Sequence, residues 1–334
     1  MPITPKTVGF RPGERNIFLH ILTACNLSCS HCYINPDQHG TQTLDIGTVK
    51  KWLQLFARDE RGGNVIFLGG EPTLHPELPA AIRFAKKLGF TVTVDSNGFL
   101  FHDLLHKTTP AELDCLSFSL DGPDAATNDA IRGEGVFEVC VDHLRQAVQL
   151  GFEVSVIYTV SRRNIAKLQQ MKELLNDLGV RKLFIQVIGL RGKSAPENAG
   201  RQPVQVSRTE WLAVVPEVAR QIAEAGVQVT YPKVFLAADE EFACGGNVAE
   251  NFFVFPNGRV YQCPLGEDHP INSYRIENGL LEKTSGLTED RLFQLTIAEG
   301  CVMNKLLQPD TIEYHHDGRP AYRISCCLLK SEIG

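Results

Sequence analysis

The chain has 334 residues, 43% hydrophobic and 22% charged, the balance of an ordinary globular protein rather than a disordered or fibrous one. Its formal net charge is −6 with no basic run, which sets aside nucleic acid and anionic membrane as expected partners. The opening MPITPKTVGFRPGERN lacks the apolar core of a signal peptide and no apolar run reaches membrane-spanning length, so the expected location is cytoplasmic. In that reducing setting ten cysteines are expected as metal ligands or core residues, not disulfides.

Residues 1–15 read as an N-terminal extension. From Asn16 short apolar runs alternate with longer amphipathic stretches. Strands are expected at 16–23, 64–68, 91–94, 116–120, 154–160 and 183–188, and helices at 46–56, 78–88, 101–105, 136–150 and 165–178. The strands are rich in Val, Ile, Leu and Phe and apolar on both faces, which calls for a parallel sheet covered by helices. Crossover handedness then allows an open doubly wound sheet or a barrel, and six units fall short of the eight that close a full barrel. The stretch 191–206 is polar and turn-rich, a linker within a bridging region 191–236 that adds a helix (211–225) and a strand (227–231). Residues 237–334 form a third region. Cys115 and Cys140 sit in apolar patterns and are expected in the core.

After the first strand comes Cys25-Asn26-Leu27-Ser28-Cys29-Ser30-His31-Cys32, spaced C-x3-C-x2-C. Three soft ligands on one loop suit an iron–sulfur centre. Four thiolates would saturate a four-iron cubane; three leave one iron open to a small molecule. A structural zinc site is the alternative, but zinc usually pairs such cysteines with a second ligand pair nearby. Ligands of parallel-sheet folds gather at the carboxyl ends of the strands, where the other candidates stand. Gly69-Gly70-Glu71-Pro72 follows the second strand, with glycines that let backbone approach closely and a carboxylate suited to an ammonium group; alone it is equally a tight turn. Asn97 follows the third strand and is a ligand or a turn former. Ser119 and Asp121 end the fourth, and Arg132 follows, its fork suited to a carboxylate.

The cysteine stretch, continued by Tyr33, resembles the signature of the radical S-adenosylmethionine (SAM) superfamily, in the C-N-L-x-C-x-H-C-Y form of members carrying SPASM or twitch domains. The resemblance implies a three-quarter barrel of six strand–helix units and a SAM-binding 4Fe–4S cluster on Cys25, Cys29 and Cys32. SAM chelates the open iron of such a cluster. Reductive cleavage of SAM then gives a 5′-deoxyadenosyl radical that abstracts hydrogen from a substrate. It also implies SAM contacts by His31, Gly69, Gly70, Glu71 and Asn97. The segment Ser119-Leu120-Asp121-Gly122-Pro123 with Arg132-Gly133 resembles that of sulfatase maturases, placing Ser119, Asp121 and Arg132 at the SAM site.

Cys244 and Cys263 flank a β-hairpin expected at 251–255 and 259–262 around Pro256-Asn257-Gly258. Their C-x13-G-x4-C spacing resembles the opening of SPASM and twitch domains, though alone it also fits a zinc knuckle. A full SPASM domain needs more cysteines than the remaining Cys301, Cys326 and Cys327, so one auxiliary 4Fe–4S cluster is implied. Cys301 falls in an expected helix (291–307) and reads as the spare. Adjacent Cys326 and Cys327 point apart unless the backbone turns. His315 and His316 are weaker ligand candidates.

The reading is a radical SAM enzyme, with a peptide or protein side chain as first expected substrate and a small molecule of cofactor-biosynthesis type as the alternative. The first cysteine at position 25 leaves no room ahead of it for a peptide-recognition domain, which counts for the alternative. A flavodoxin or ferredoxin is the implied electron donor. The rivals are a non-catalytic iron–sulfur carrier or sensor, which needs neither Gly69-Gly70-Glu71 nor Arg132, and a zinc-bound binding module. No residue stands out as a general acid or base.

Overall fold

The computed structural model describes residues 4–57, 62–198, 204–237 and 239–334. Its strands in chain order are β1 (Lys6–Val8), β2 (Arg15–Leu22), β3 (Asn64–Gly69), β4 (Thr91–Ser96), β5 (Cys115–Ser119), β6 (Val154–Val160), β7 (Lys182–Val187), β8 (Gln228–Pro232), β9 (Phe235–Leu236), β10 (Glu250–Val254), β11 (Arg259–Tyr261), β12 (Tyr274–Glu277), β13 (Leu280–Lys283), β14 (Arg323–Ile324) and β15 (Lys330–Ile333). All but β9 and β14 join one sheet in the order β1-β15-β8-β7-β6-β5-β4-β3-β2-β10-β11-β12-β13. From β8 through β2 to β10 every pairing is parallel.

The pairing register explains the two faces. Val65 pairs with Val92, Val94 with Leu116 and Phe118 with Val156, and all six are fully buried on the helix side. There they share one core with Ala81 and Ile82 of helix Leu78–Lys87 and with Val141 and Leu144 of helix Val136–Gln149. Residues of the opposite parity, among them Ile66, Thr93, Asp95, Cys115 and Phe184, are only half-buried and form an inner face. Cys140 belongs to the buried core, as expected; Cys115 instead stands on this inner face.

The six expected strands correspond to β2–β7, and the fold is α/β with a largely parallel sheet. Three features lie beyond the periodicity of the sequence. Within the N-terminal extension, Lys6–Val8 pairs antiparallel with β15. The expected hairpin is β10–β11, and β10 lies parallel against β2 and so extends the main sheet. An amide ladder fixes this register, Asn64 donating to Asn16 at 2.8 Å and Asn16 to Asn251 at 3.0 Å, with Arg15 paired to Glu250 at 2.8 Å. Finally, the helix expected at 291–307 is broken into Glu289–Leu292 and Val302–Leu307. Gly300 stands between them with φ +89°, a conformation that leaves the helical path and brings it against the Ile324 carbonyl.

Helix Arg208–Glu224 starts on a capping box, Ser207 with Glu210, and packs beside β8. Among the described residues no helix is long and apolar enough to cross a membrane.

Candidate active site

β2 delivers the chain to the loop of Cys25, Cys29 and Cys32 at the carboxyl edge of the sheet. The exit of β3 clamps the loop's entry: Gly70 N–H donates to the Leu22 carbonyl (3.1 Å) and Glu71 N–H to the Ala24 carbonyl (3.0 Å). A Cβ on Gly70 would sit 2.1 Å from the Ala24 oxygen, so only glycine allows this approach. Glu71 is fully buried; Oε1 accepts from the Thr73 N–H, the Thr73 hydroxyl and Ser96, and Oε2 from the Asn97 N–H at 2.7 Å. Its carboxylate therefore shapes the turn that carries Asn97. The Asn97 amide in turn donates to Asn26 Oδ1 at 2.8 Å and approaches Cys25 Sγ at 3.8 Å.

The far side of the loop is held by residues of the polar, turn-rich stretch 191–206. Lys193 N–H donates to the Cys32 carbonyl (2.9 Å), its ammonium to Ser28 (2.8 Å), and Arg191 lies over the Tyr33 ring at 4.7 Å. Gly192, at φ +55°, packs where a Cβ would fall 2.5 Å from the Cys32 oxygen. Arg191 also pairs with buried Glu267, tying the loop to the C-terminal region. Residues 199–203 of that linker lie outside the described residues. Only the glycine and the switch to a polar run signal this clamp in the sequence.

Asp121 is the polar centre of the mouth. It is fully buried; Oδ1 accepts from the Thr159 N–H at 2.7 Å, while Oδ2 faces Arg132 at 2.7 Å and His31 Nε2 at 3.2 Å. Burial lowers the His31 pKa, with Asp121 pulling the other way, so the ring is neutral near pH 7. With the carboxylate at Nε2 the proton belongs there, which leaves Nδ1 as an acceptor. His31 Nδ1 and Ser194 Oγ are buried without a hydrogen-bond partner among the described residues, and both line one pocket with Thr159, Ser161, Arg163 and Ile188. Ser119 stands half-buried at the end of β5. Burial raises the Cys25 thiol to about 11 and also raises the Cys29 thiol, which Arg132 opposes. Thiols so disposed ionise when metal charge binds them.

A second group of thiols converges elsewhere. Cys244, Cys263, Cys301, Cys326 and Cys327 all line one largely apolar pocket with Phe293 and Met303. Cys326 is in hydrogen-bonding contact with Cys244 and Cys327, and Cys327 with Cys263. Adjacent Cys326 and Cys327 reach the same pocket because the backbone turns there, Leu329 N–H closing on the Cys326 carbonyl at 2.9 Å. Cys301 is not inside a helix; it caps Val302–Leu307, its sulfur accepting from Asn304 N–H at 3.4 Å. His315 and His316 are exposed and away from the pocket. Among the described residues no three His, Cys, Asp or Glu side chains are drawn together tightly enough for a single metal ion. A four-iron cubane is larger than one ion and is held by thiolates at its corners.

The radical SAM superfamily model matches residues 19–175, the span from β2 through the Asp121 mouth. Over 304 residues the chain is 32% identical to a probable GTP 3′,8-cyclase of Saccharolobus solfataricus, covering 86% of this chain and 95% of that one. The chain belongs to the radical SAM superfamily. A pre-heme d1 synthase of Dinoroseobacter shibae is 27% identical over 57% of this chain and 47% of its own. In fold, this radical SAM chain is similar to Streptococcus suis SuiB bound to its precursor peptide SuiA (TM-score 0.62, 13% identity, 76% of this chain and 60% of that one). It is also similar to anSMEcpe with bound AdoMet (TM-score 0.60, 12% identity, 92% and 82%). It is therefore a radical SAM enzyme, and the superfamily implies a 4Fe–4S cluster and SAM. The residues present fit both groups: three thiols on one clamped loop, and beside them a pocket with an unpartnered imidazole nitrogen and hydroxyl.

Proposed function

We propose that this radical SAM enzyme acts on a small molecule in a reaction of the kind that builds cofactors, and not on a peptide side chain. The observation that carries this is the 32% identity to the probable GTP 3′,8-cyclase across nearly its whole length. The similarity to the pre-heme d1 synthase points the same way. The likeness to SuiB and anSMEcpe, at 12–13% identity, supports the fold alone, so the order in which the sequence ranked its two substrate readings is reversed.

In this reading Cys25, Cys29 and Cys32 hold the catalytic cluster, whose reductive cleavage of SAM supplies the hydrogen-abstracting power. His31, through Nδ1, and the Ser194 hydroxyl bind SAM's polar edge; Asp121 holds His31 and Arg132 in place; and Ser119 and Asn97 complete the mouth. Gly69, Gly70 and Glu71 serve by seating the loop. The sheet forms a partial barrel of six strand–helix units over 16–190, and 237–334 is a twitch-like unit. There Cys244, Cys263, Cys326 and Cys327 hold one auxiliary 4Fe–4S cluster, with Cys301 the spare. A flavodoxin or ferredoxin in the cytoplasm delivers electrons.

The test is 5′-deoxyadenosine release by the anaerobically reconstituted, reduced enzyme. A dialysable metabolite fraction should stimulate release above the uncoupled rate. Stimulation by a peptide or protein fraction alone would overturn the small-molecule reading.

A further inference from the structure

The two groups of thiols are joined by one seam of polar contacts. On one side are residues that closely follow the cysteine loop, Tyr33, Asn35 and His39. On the other are residues that closely follow Cys263, namely Pro264, Glu267 and Asp268, on a turn where Gly266 N–H donates to the Cys263 carbonyl at 3.0 Å. Asn35 Nδ2 donates to Asp268 Oδ1, and His39 Nε2 to the Glu267 carbonyl at 2.8 Å. Arg191–Lys193 is threaded between the two sides. The Arg191 guanidinium donates to the Pro264 carbonyl and to Glu267 Oε2 while it covers the Tyr33 ring. Gly192 N–H donates to Asp268 Oδ2 at 3.2 Å, and Lys193 N–H to the Cys32 carbonyl at 2.9 Å. Three successive residues therefore hold the exits of both cysteine segments.

We propose that this seam couples the two thiol sites, with Arg191 as the positioning residue: the loop of Cys25, Cys29 and Cys32 binds SAM tightly only while Cys263 is held as a metal ligand. The proposal rests on the auxiliary-cluster reading above and gives that cluster a part in SAM binding. The route is short. Ligation fixes the backbone at Cys263, from which the Pro264–Gly266 turn starts. That turn and Glu267 anchor Arg191, and Arg191 carries the backbone of Gly192 and Lys193 against Cys32. A Cβ on Gly192 would fall 2.5 Å from the Cys32 oxygen, so the contact has no slack and a shift of the strap moves the loop. The next residue, Ser194, turns its unpartnered hydroxyl into the pocket beside His31, so the same shift withdraws a SAM contact. Two sites that act on one segment bias each other through it.

The test is a cycle of SAM affinities, measured by equilibrium dialysis on anaerobically reconstituted protein with iron counted in every sample. Cys263→Ala should lose about four irons and bind SAM roughly 5- to 150-fold more weakly. Arg191→Met should weaken SAM comparably while keeping about eight irons. Combined, the two substitutions should weaken SAM no further than the more damaging one alone, because both cut the same route. Arg191→Met also strands the buried Glu267 carboxylate, so it is tested again with Glu267→Gln. That pair should recover the urea midpoint of the wild type but not its SAM affinity. Losses that add in the combined variant, wild-type SAM affinity in Arg191→Met, or recovery of affinity together with the midpoint would each overturn the coupling. Loss of iron with unchanged SAM affinity in Cys263→Ala would remove the coupling and leave the auxiliary cluster standing. Wild-type iron in Cys263→Ala would remove both.

Discussion

Gly70→Ala is the sharpest perturbation of the cysteine loop that leaves every thiol in place. The added Cβ would lie 2.1 Å from the Ala24 oxygen and 2.5 Å from the Thr23 oxygen, both backbone atoms that cannot swing aside. Reaching even the 3.0 Å limit of real Cβ contacts demands a displacement of about 0.9 Å between the β3 exit and the loop entry. The hydrogen bonds Gly70 N–H to Leu22 and Glu71 N–H to Ala24 stretch with it. Overpacking of this kind costs about 1–3 kcal/mol, too little to unfold the domain. Misplacement near 1 Å at a reacting centre, however, costs on the order of 100-fold in rate. The expected variant is thus folded, melts slightly lower, and releases 5′-deoxyadenosine about 100-fold more slowly. Gly9→Ala is the matched control, because nothing lies within 4 Å of a Cβ built there. Gly70→Ala with wild-type iron content and wild-type 5′-deoxyadenosine release would refute the clamp.

Asp121→Asn should leave the Arg132 guanidinium buried without its counter-charge and destabilise the protein by about 3–5 kcal/mol, read from the shift in urea midpoint; an unchanged midpoint would show the pair contributes nothing. With Cys25, Cys29 and Cys32 all changed to alanine, the chain should retain about four irons. A further Cys263→Ala should lose them and Cys301→Ala keep them, whereas zinc in their place or a count near eight would sink the single auxiliary cluster. Burial, opposed by the Ser117 hydrogen bond and reinforced by Glu71, raises the Asp95 pKa from 3.8 to about 7. The folded state therefore holds a proton that the unfolded chain has released, and stability falls as pH rises across that interval. Asp95→Asn should flatten this part of the pH profile in thermal unfolding, and an identical slope in the two proteins would contradict it.

The parallel strands were legible because Val, Ile, Leu and Phe recur in short runs between amphipathic stretches, and burial on the helix face enforces that pattern. The cysteine loop was legible because ligand spacing is local. What escaped was contact between distant segments. The stretch Arg191–Ser194 reads as a polar linker, yet its backbone grips Cys32 and its guanidinium covers Tyr33, and a hydrogen bond through an amide leaves no mark in side-chain composition. Glu71 reads in sequence as a ligand for an ammonium group or as part of a tight turn, and the donors its carboxylate accepts from lie in its own turn and at the β4 exit, the latter a contact between segments distant in sequence. The periodicity of 291–307 is helical through Gly300, whose positive φ is set by packing against Ile324 and not by its neighbours in sequence.

The parallel pairing of β10 with β2 has a consequence for how the chain is made. Arg15 and Glu250 are 235 residues apart, so β2 emerges from the ribosome long before the strand that covers one of its edges exists. During that interval β2 can pair only with β3, and its other edge, together with Phe18 that later stacks on Phe253, is bare. A growing chain in this state is a template for intermolecular pairing, the hazard that recruits chaperones. It is also the strand that leads into the cysteine loop. Metal loaded before β10 docks would enter a loop whose supporting strand is still unpaired on one side, so cluster delivery is best timed after translation of the C-terminal third.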